Sequence, residues 1–361
     1  MSVTQSSTQK TIPILYDPVH NIHDVGTFEK TERAENIFQR LSTDERYHVV
    51  SSFVKDMNHI TAIHEKDYVD YLRLACEDLQ ADQIHRCEIV AYDRAKQRKP
   101  KSIKAQIGWY CYETTTGICK GTYEASVASA FVALSGASLL RGSNSVEDRG
   151  EHDLVYSICR PPGHHATSSR FGGFCYLNNA ALAAHYLTRS KPDDRNGEKR
   201  RVAVLDIDYH GGNGTQEIFY DRDDVFVVSI HGDPDIWLGE LYFWGYSDEI
   251  GEGPGKGFNL NLPVDPQDHG AVVDYKAYEG YLDRAIKAIR EFSPEFLVIS
   301  FGVDTSVHDP LGIFAMQNED YHKIGSRVRE TLKVPTLVVQ EGGYHPHLGE
   351  CAHQLLQGLS K

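Results

Sequence analysis

The stretch Val202-Ala203-Val204-Leu205-Asp206-Ile207-Asp208-Tyr209-His210 joins an apolar run to two carboxylates and an imidazole, and its reading decides the fold. Four consecutive apolar residues predict a buried strand of a parallel sheet. On an extended backbone Asp208 and His210, two residues apart, leave the same face, so two metal ligands converge. Asp304 is a third candidate, because it follows another apolar run, Phe296-Leu297-Val298-Ile299-Ser300-Phe301-Gly302-Val303. Two carboxylates and one imidazole leave a coordination position open, as hydrolytic zinc chemistry requires.

Similar runs lie to either side: Ile12 to Leu15, Leu154 to Tyr156, Val225 to Val228 and Thr336 to Val339, with helix-length segments between them. This alternation predicts an α/β fold with a mostly parallel central sheet and helices on both faces. At 361 residues and 40% hydrophobic, the chain can bury one large core. We expect a flexible tail over residues 1–11, rich in Ser, Thr and Gln, and a single domain over 12–361. No N-terminal segment resembles a signal peptide, and no run approaches the length of ~18 apolar residues that spans a bilayer. The expected setting is cytoplasmic, with no membrane partner. Seven cysteines without any CxxC pair suggest reduced thiols rather than a disulfide framework or a thiolate metal site.

The net charge of -14 argues against a nucleic-acid partner, since phosphate binding needs clustered Lys and Arg. Charge is uneven, however. Within a segment of about residues 85–125, Arg94, Lys96, Arg98, Lys99, Lys101, Lys104 and Lys120 outnumber Asp93, Glu113 and Glu124. This basic insert is either a solvated loop or a surface for a partner, a second subunit or an acidic substrate.

The chemistry concentrates in two further motifs and the partners of their histidines. Cys159-Arg160-Pro161-Pro162-Gly163-His164-His165 sets two histidines behind a rigid turn, and either can move a proton near neutral pH. Asp206 and Asn213 are suited to fix the tautomers of these rings. An aspartate behind one imidazole would keep it cationic, and an asparagine behind the other would leave it closer to neutral, which divides their roles. Glu341-Gly342-Gly343-Tyr344 delivers a phenol on a glycine turn, and a Tyr hydroxyl can donate to a developing oxyanion.

These motifs, with Gly302 to Pro310 in the pattern GVDTxxxDP, Ile63 to Leu72, and Gly172 to Asn179, resemble in order and spacing the zinc-dependent deacetylases of the arginase–deacetylase superfamily. Within it the chain is most similar to the bacterial acetylpolyamine amidohydrolase branch, chiefly through Gln106 to Cys111. The resemblance implies the arginase–deacetylase fold and one Zn2+ per chain on Asp208, His210 and Asp304. It implies His165 as general base and acid, His164 with Asp206 as electrostatic support, Asn213 as a second partner, and Tyr344 as oxyanion donor. Phe174, Gly173 and Leu311 would border a narrow substrate tunnel. A structural K+ would use Asp206, Asp208, His210, Ser229 and Ile230. The insert resembles a dimerising element, so a homodimer is expected.

The family usually carries a second histidine where this chain has Gly211; it is not a metal ligand there, so activity should survive. The expected substrate is a small acetylated amine, acetylpolyamine or an acetyl-lysine peptide. A polyamine would need carboxylates at the tunnel mouth, for which Asp233, Asp235, Asp248 and Glu249 are candidates. Trp237, Phe243 and Trp244 could line the tunnel or simply pack. Three other readings are a lysine deacylase acting on proteins or longer acyl groups, a non-hydrolytic acetyl-amine binding protein, and a two-manganese ureohydrolase.

Overall fold

A computed structural model describes residues 11–142, 152–189, 199–236, 245–270 and 272–361. Ten strands are β1 (Ile12–Leu15), β2 (Tyr47–Val50), β3 (His85–Arg86), β4 (Gly117–Ile118), β5 (Leu154–Ser157), β6 (Val202–Asp206), β7 (Val225–Gly232), β8 (Asn259–Val264), β9 (Phe296–Phe301) and β10 (Thr336–Gln340). Eight of them form one sheet in the order β2-β1-β5-β10-β9-β6-β7-β8, with parallel neighbours throughout. The expected α/β fold, a parallel central sheet with helices on both faces, is what the chain adopts.

Side-chain alternation splits the core into two layers. Ala203 and Leu205 of β6, Leu297, Ile299 and Phe301 of β9, and Val338 of β10 pack under the helices Glu32–Ser42, Tyr275–Phe292, Asn318–Leu332 and Leu348–Leu359. Val202, Val204, Phe296, Val298, Leu337 and Val339 face the helices Thr122–Arg141 and Asn179–Thr188 instead. Because both faces are covered, the strands read as continuous apolar runs, which is why the six runs seen in sequence all become strands. The two missed strands of the main sheet, β2 and β8, are its edges. An edge tolerates polar alternation and proline, and β8 reads Asn-Leu-Asn-Leu-Pro-Val.

Two expectations need correction. Strand β6 stops at Asp206, so Asp208 and His210 do not share a strand face. They lie on a bend, where the Asp208 amide donates to Asp206 Oδ1 (3.1 Å) and the His210 amide donates to Asp208 Oδ1 (2.9 Å). Side chains that accept from the backbone two residues on hold this turn. Second, the helix Thr122–Arg141 is long and apolar enough to cross a membrane by length and composition, but 72% of its apolar window is buried. It packs on β5 and on Asn179–Thr188 as a core helix.

The insert forms the antiparallel pair β3–β4 and a short helix, Ile107–Tyr110. Much of its basic charge is consumed locally. Lys99 pairs with Asp67, Lys96 with Asp93 and Lys104 with Asp78, while the Arg94 guanidinium lies over Trp109 and donates to Ser169. All seven cysteines are free and buried. Residues 1–10 of the expected tail, and Trp237, Phe243 and Trp244, lie outside the described residues.

Candidate active site

Strands β6, β9 and β10 are neighbours, and the turns at their C-terminal ends meet at one point, where ligand sites of open parallel sheets form. The β6 turn brings Asp208 and His210, and the β9 turn brings Asp304. Their ligand atoms lie within 4.8 Å of one another. His210 Nδ1 is 3.2 Å from Asp208 Oδ1 and 3.1 Å from Asp304 Oδ2. Glycine makes this convergence possible: a Cβ at Gly302 would overlap the Asp208 carboxylate, and one at Gly342 would meet the carboxylates of both Asp208 and Asp304. The Gly342 amide also donates to Asp208 Oδ2 at 2.9 Å.

The electrostatics of this cluster suit a cation. Burial and the neighbouring Asp208 carboxylate push the Asp304 carboxyl up to about 7. His210 rises to about 9, because hydrogen bonds to Asp208 and Asp304 overcome the effect of burial. Two fully buried carboxylates with a single imidazole are an anionic, mixed oxygen and nitrogen donor set, which a divalent ion would neutralise.

The two histidines stand in contrasting environments. His164 Nδ1 is 3.0 Å from Asp206 Oδ2, and its Nε2 is 3.7 Å from Asp208. Burial alone would lower its pKa, but Asp208 and Asp206 outweigh that and hold it well above the usual imidazole range. His165 Nδ1 lies 2.6 Å from Asn213 Oδ1. Burial, with His164 and His210 nearby, holds His165 well below that range. Asn213 is placed by the N-terminus of the short helix Asn213–Phe219.

Tyr344 completes the ring. Its amide donates to Asp309 Oδ2 (2.6 Å), the same carboxylate that holds the Leu311 amide through Oδ1 (2.9 Å). Burial raises the Tyr344 pKa well above 10, so the phenol keeps its proton. A cavity of about 390 Å³ opens from this floor. Its walls are Pro162, Gly173, Phe174 and Leu311, and its outer part is Gly26, Thr27, Phe28 and Thr115. Gly173 (φ +57°) lies so close to the His165 ring that a Cβ would overlap it, and Phe174 follows at φ +64°. A positive φ outside glycine costs energy and tends to occur where function fixes the backbone.

All the sequence-predicted metal and proton-transfer residues thus meet at one floor, with Phe174, Gly173 and Leu311 along its cavity. Asp206 and Ser229 are register partners on β6 and β7, with Ile230 next on β7. The described acids Asp233, Asp235, Asp248 and Glu249 are not among the cavity's lining residues. Glu249 instead receives Gln216 and the Gly245 amide.

Sequence reading missed a buried charge lattice beneath Tyr344. Glu29 accepts from Arg33 (2.7 Å) and faces Arg160 (2.9 Å), and all three are buried. Arg33 donates to the carbonyls of Gly343 and Glu341 at 2.5 Å, with its guanidinium 4.7 Å from the Tyr344 ring centre. Glu341 Oε2 in turn accepts from the amides of Gly163 (2.6 Å) and His164 (3.1 Å). The only signal was the four-residue spacing of Glu29 and Arg33, which many exposed pairs share. The outer residues Gly26 to Phe28 gave no signal at all.

The histone deacetylase domain model matches residues 27–359. Acetylpolyamine amidohydrolase 2 of Pseudomonas aeruginosa is 38% identical over 338 residues, 92% of this chain and 91% of that protein. Acetylpolyamine amidohydrolase of Mycoplana ramosa is 36% identical over 343 residues, 93% of each. The crystal structure of acetylpolyamine aminohydrolase from Burkholderia pseudomallei superposes with a TM-score of 0.83 at 31% identity, covering 96% of this chain and 98% of that one. With the fold, the site geometry and these likenesses in agreement, the chain belongs to the histone deacetylase family of hydrolytic enzymes.

Proposed function

We propose that this protein hydrolyses the acetamide of N-acetylated polyamines, with one zinc ion held by Asp208, His210 and Asp304. The observation that carries the reading is the convergence of those three side chains at the floor of a narrow cavity, beside one cationic and one neutral imidazole. Zinc, when bound, supplies the Lewis acid for the acyl carbonyl and the attacking water.

The chain's own groups do the rest. His165, with Nδ1–H directed at Asn213 Oδ1, uses Nε2 as the acceptor that takes the proton of the attacking water and returns one to the leaving amine. His164, held cationic by Asp206 and Asp208, offsets the negative charge that develops beside it. The Tyr344 hydroxyl donates to the carbonyl oxygen as it becomes an oxyanion. Phe174 and Leu311 exclude water from the methylene chain of the substrate.

The polyamine preference is supported by two carboxylates fixed close to the rim. Glu113 accepts from the amides of Thr115 and Thr116 and from the Thr115 hydroxyl, and Thr115 lines the cavity. Asp24 is exposed and accepts from the amide of Gly26, another lining residue (2.8 Å). A remote ammonium leaving the tunnel would meet these charges. The relatives named acetylpolyamine amidohydrolases point the same way. A homodimer through the insert fits its exposed Ile89 and Tyr92, which are 82% and 89% accessible. A structural potassium ion at Asp206, Asp208, His210, Ser229 and Ile230 has the adjacency of Asp206 and Ser229 in its favour.

The test is kcat/KM of zinc-loaded and metal-stripped protein on acetylputrescine, acetylcadaverine, acetylspermidine and acetyl-lysine peptides. A tenfold preference for the polyamines, about 1.4 kcal/mol, supports the proposal. A preference for peptides makes the protein a lysine deacylase, and two manganese ions per chain would overturn the zinc reading.

A further inference from the structure

One side chain of the insert penetrates to the proton-transfer histidine. The segment Tyr110 to Tyr112 runs beside Phe171: the Phe171 amide donates to the Tyr110 carbonyl (2.8 Å), and the Tyr112 amide donates to the Phe171 carbonyl (3.2 Å). This pairing lays the Tyr112 ring against Gly172, where any Cβ would press into the ring. The phenol then reaches inward, and its hydroxyl donates to the main-chain carbonyl of His165 at 3.0 Å.

The same hydroxyl lies beside the Asn213 amide. Asn213 Nδ2 is buried and makes no full hydrogen bond to a described residue, while Asn213 Oδ1 sits 2.6 Å from His165 Nδ1. A phenol that has given its proton to a carbonyl offers only lone pairs, so it favours the amide's N–H side. With Nδ2 turned toward Tyr112, Oδ1 must face His165. An oxygen there demands Nδ1–H on the ring, and that tautomer leaves Nε2 as the acceptor.

We propose that Tyr112 is a positioning residue, which fixes the orientation of the Asn213 amide and, through it, the tautomer of His165. The role rests on the reading of His165 as the proton-transfer group. It makes the insert a structural part of the site, because the turn carrying Tyr112 is built by the insert.

The variant Tyr112→Phe keeps the ring packing on Gly172 and removes only the hydroxyl. Expected on an acetylated amine is a fall in kcat of about tenfold, a part of the roughly 100- to 10,000-fold that general acid–base catalysis contributes, with KM within about twofold and metal content and melting temperature unchanged. In the Asn213→Ala background the same substitution should add little, since contacts that act in series are non-additive. Nitrogen-15 spectra of the histidines should change the His165 signal from one Nδ1–H tautomer to a mixture. Unchanged kcat and unchanged His165 nitrogen shifts in Tyr112→Phe would overturn the proposal. So would a full additional loss in the Asn213→Ala background, which would mean that the hydroxyl acts independently of Asn213. If the parent enzyme turned over no acetylated amine, the deacetylase reading would fail, whereas the nitrogen shifts would still decide the role of Tyr112.

Discussion

The floor and the rim of the cavity are built by different means. The floor is set at the ends of adjacent buried strands, and its residues are held by further polar groups: the His164 ring by Asp206, the His165 ring by Asn213, and the Tyr344 amide by Asp309. The rim consists of loop residues, Gly26 to Phe28 and Thr115, and Phe28 is 52% exposed. Rigid strand ends suit chemistry that must be placed to a fraction of an ångström, and loops suit the part that selects a substrate. If this contrast is right, damage to the floor should abolish turnover on every substrate, and damage to the rim should change only the choice among them.

The largest effect is expected from Asp304→Ala. It should remove the bound metal, measured by elemental analysis, and bring turnover of all substrates to background. Stoichiometric zinc in that variant would move the ligand elsewhere. Next is Tyr344→Phe, which should hold metal yet lose on the order of 2 to 4 kcal/mol of transition-state stabilisation on polyamine and peptide alike. Near-normal kcat/KM would remove the oxyanion role and with it half of the contrast.

A third expectation concerns stability beneath the floor. The His64 ring accepts from the Asn178 amide (2.9 Å), and the Asn178 side chain donates to the Ala166 carbonyl (3.0 Å) just past His164 and His165. Burial depresses the His64 pKa to about 4. Its folded value lies below the unfolded one, so its contribution is fully present above pH ~6.5 and is lost as pH falls toward 4. At pH 5 the loss from His64 is about 2 kcal/mol, so thermal unfolding at pH 7 and 5 should show a smaller loss of stability in His64→Gln than in the parent, where His20, His23, His185, His231 and His345 are depressed by burial as well. The smallest effect belongs to the rim. Glu113→Gln should lower kcat/KM for acetylspermidine about fivefold, near 1 kcal/mol, and leave an acetyl-lysine peptide unaffected. An equal loss on both would mean that Glu113 shapes the rim loop rather than selecting charge.

The same contrast explains what could be read in the sequence. The floor was legible because buried parallel strands leave continuous apolar runs, and because Asp208, His210 and Asp304 sit just after two of them. Even so, the reason for the convergence of Asp208 and His210 was misjudged: a side-chain-stapled turn brings them in, not strand alternation. The rim was illegible because Thr27 and Phe28 have no periodicity and no chemistry of their own, and their meeting with Thr115 depends on the path of the whole N-terminal segment. The lattice of Glu29, Arg33 and Arg160 was hidden for a related reason. A buried ion network looks in sequence like ordinary surface charge, and only burial distinguishes it.

The glycines at 302 and 342 carry a lesson for judging relatives of this chain. Gly302 leaves room for the Asp208 carboxylate and Gly342 for those of both Asp208 and Asp304, and neither has a side chain of its own to offer. A descendant with alanine at either place would retain Asp208, His210, Asp304, His165 and Tyr344, and an inventory of those five would score it as intact. Its ligands would nonetheless be wedged apart. Loss of function in this lineage can therefore begin at positions with no chemistry, and an inactive paralogue is better recognised by what has filled these two gaps than by which reactive groups it has kept.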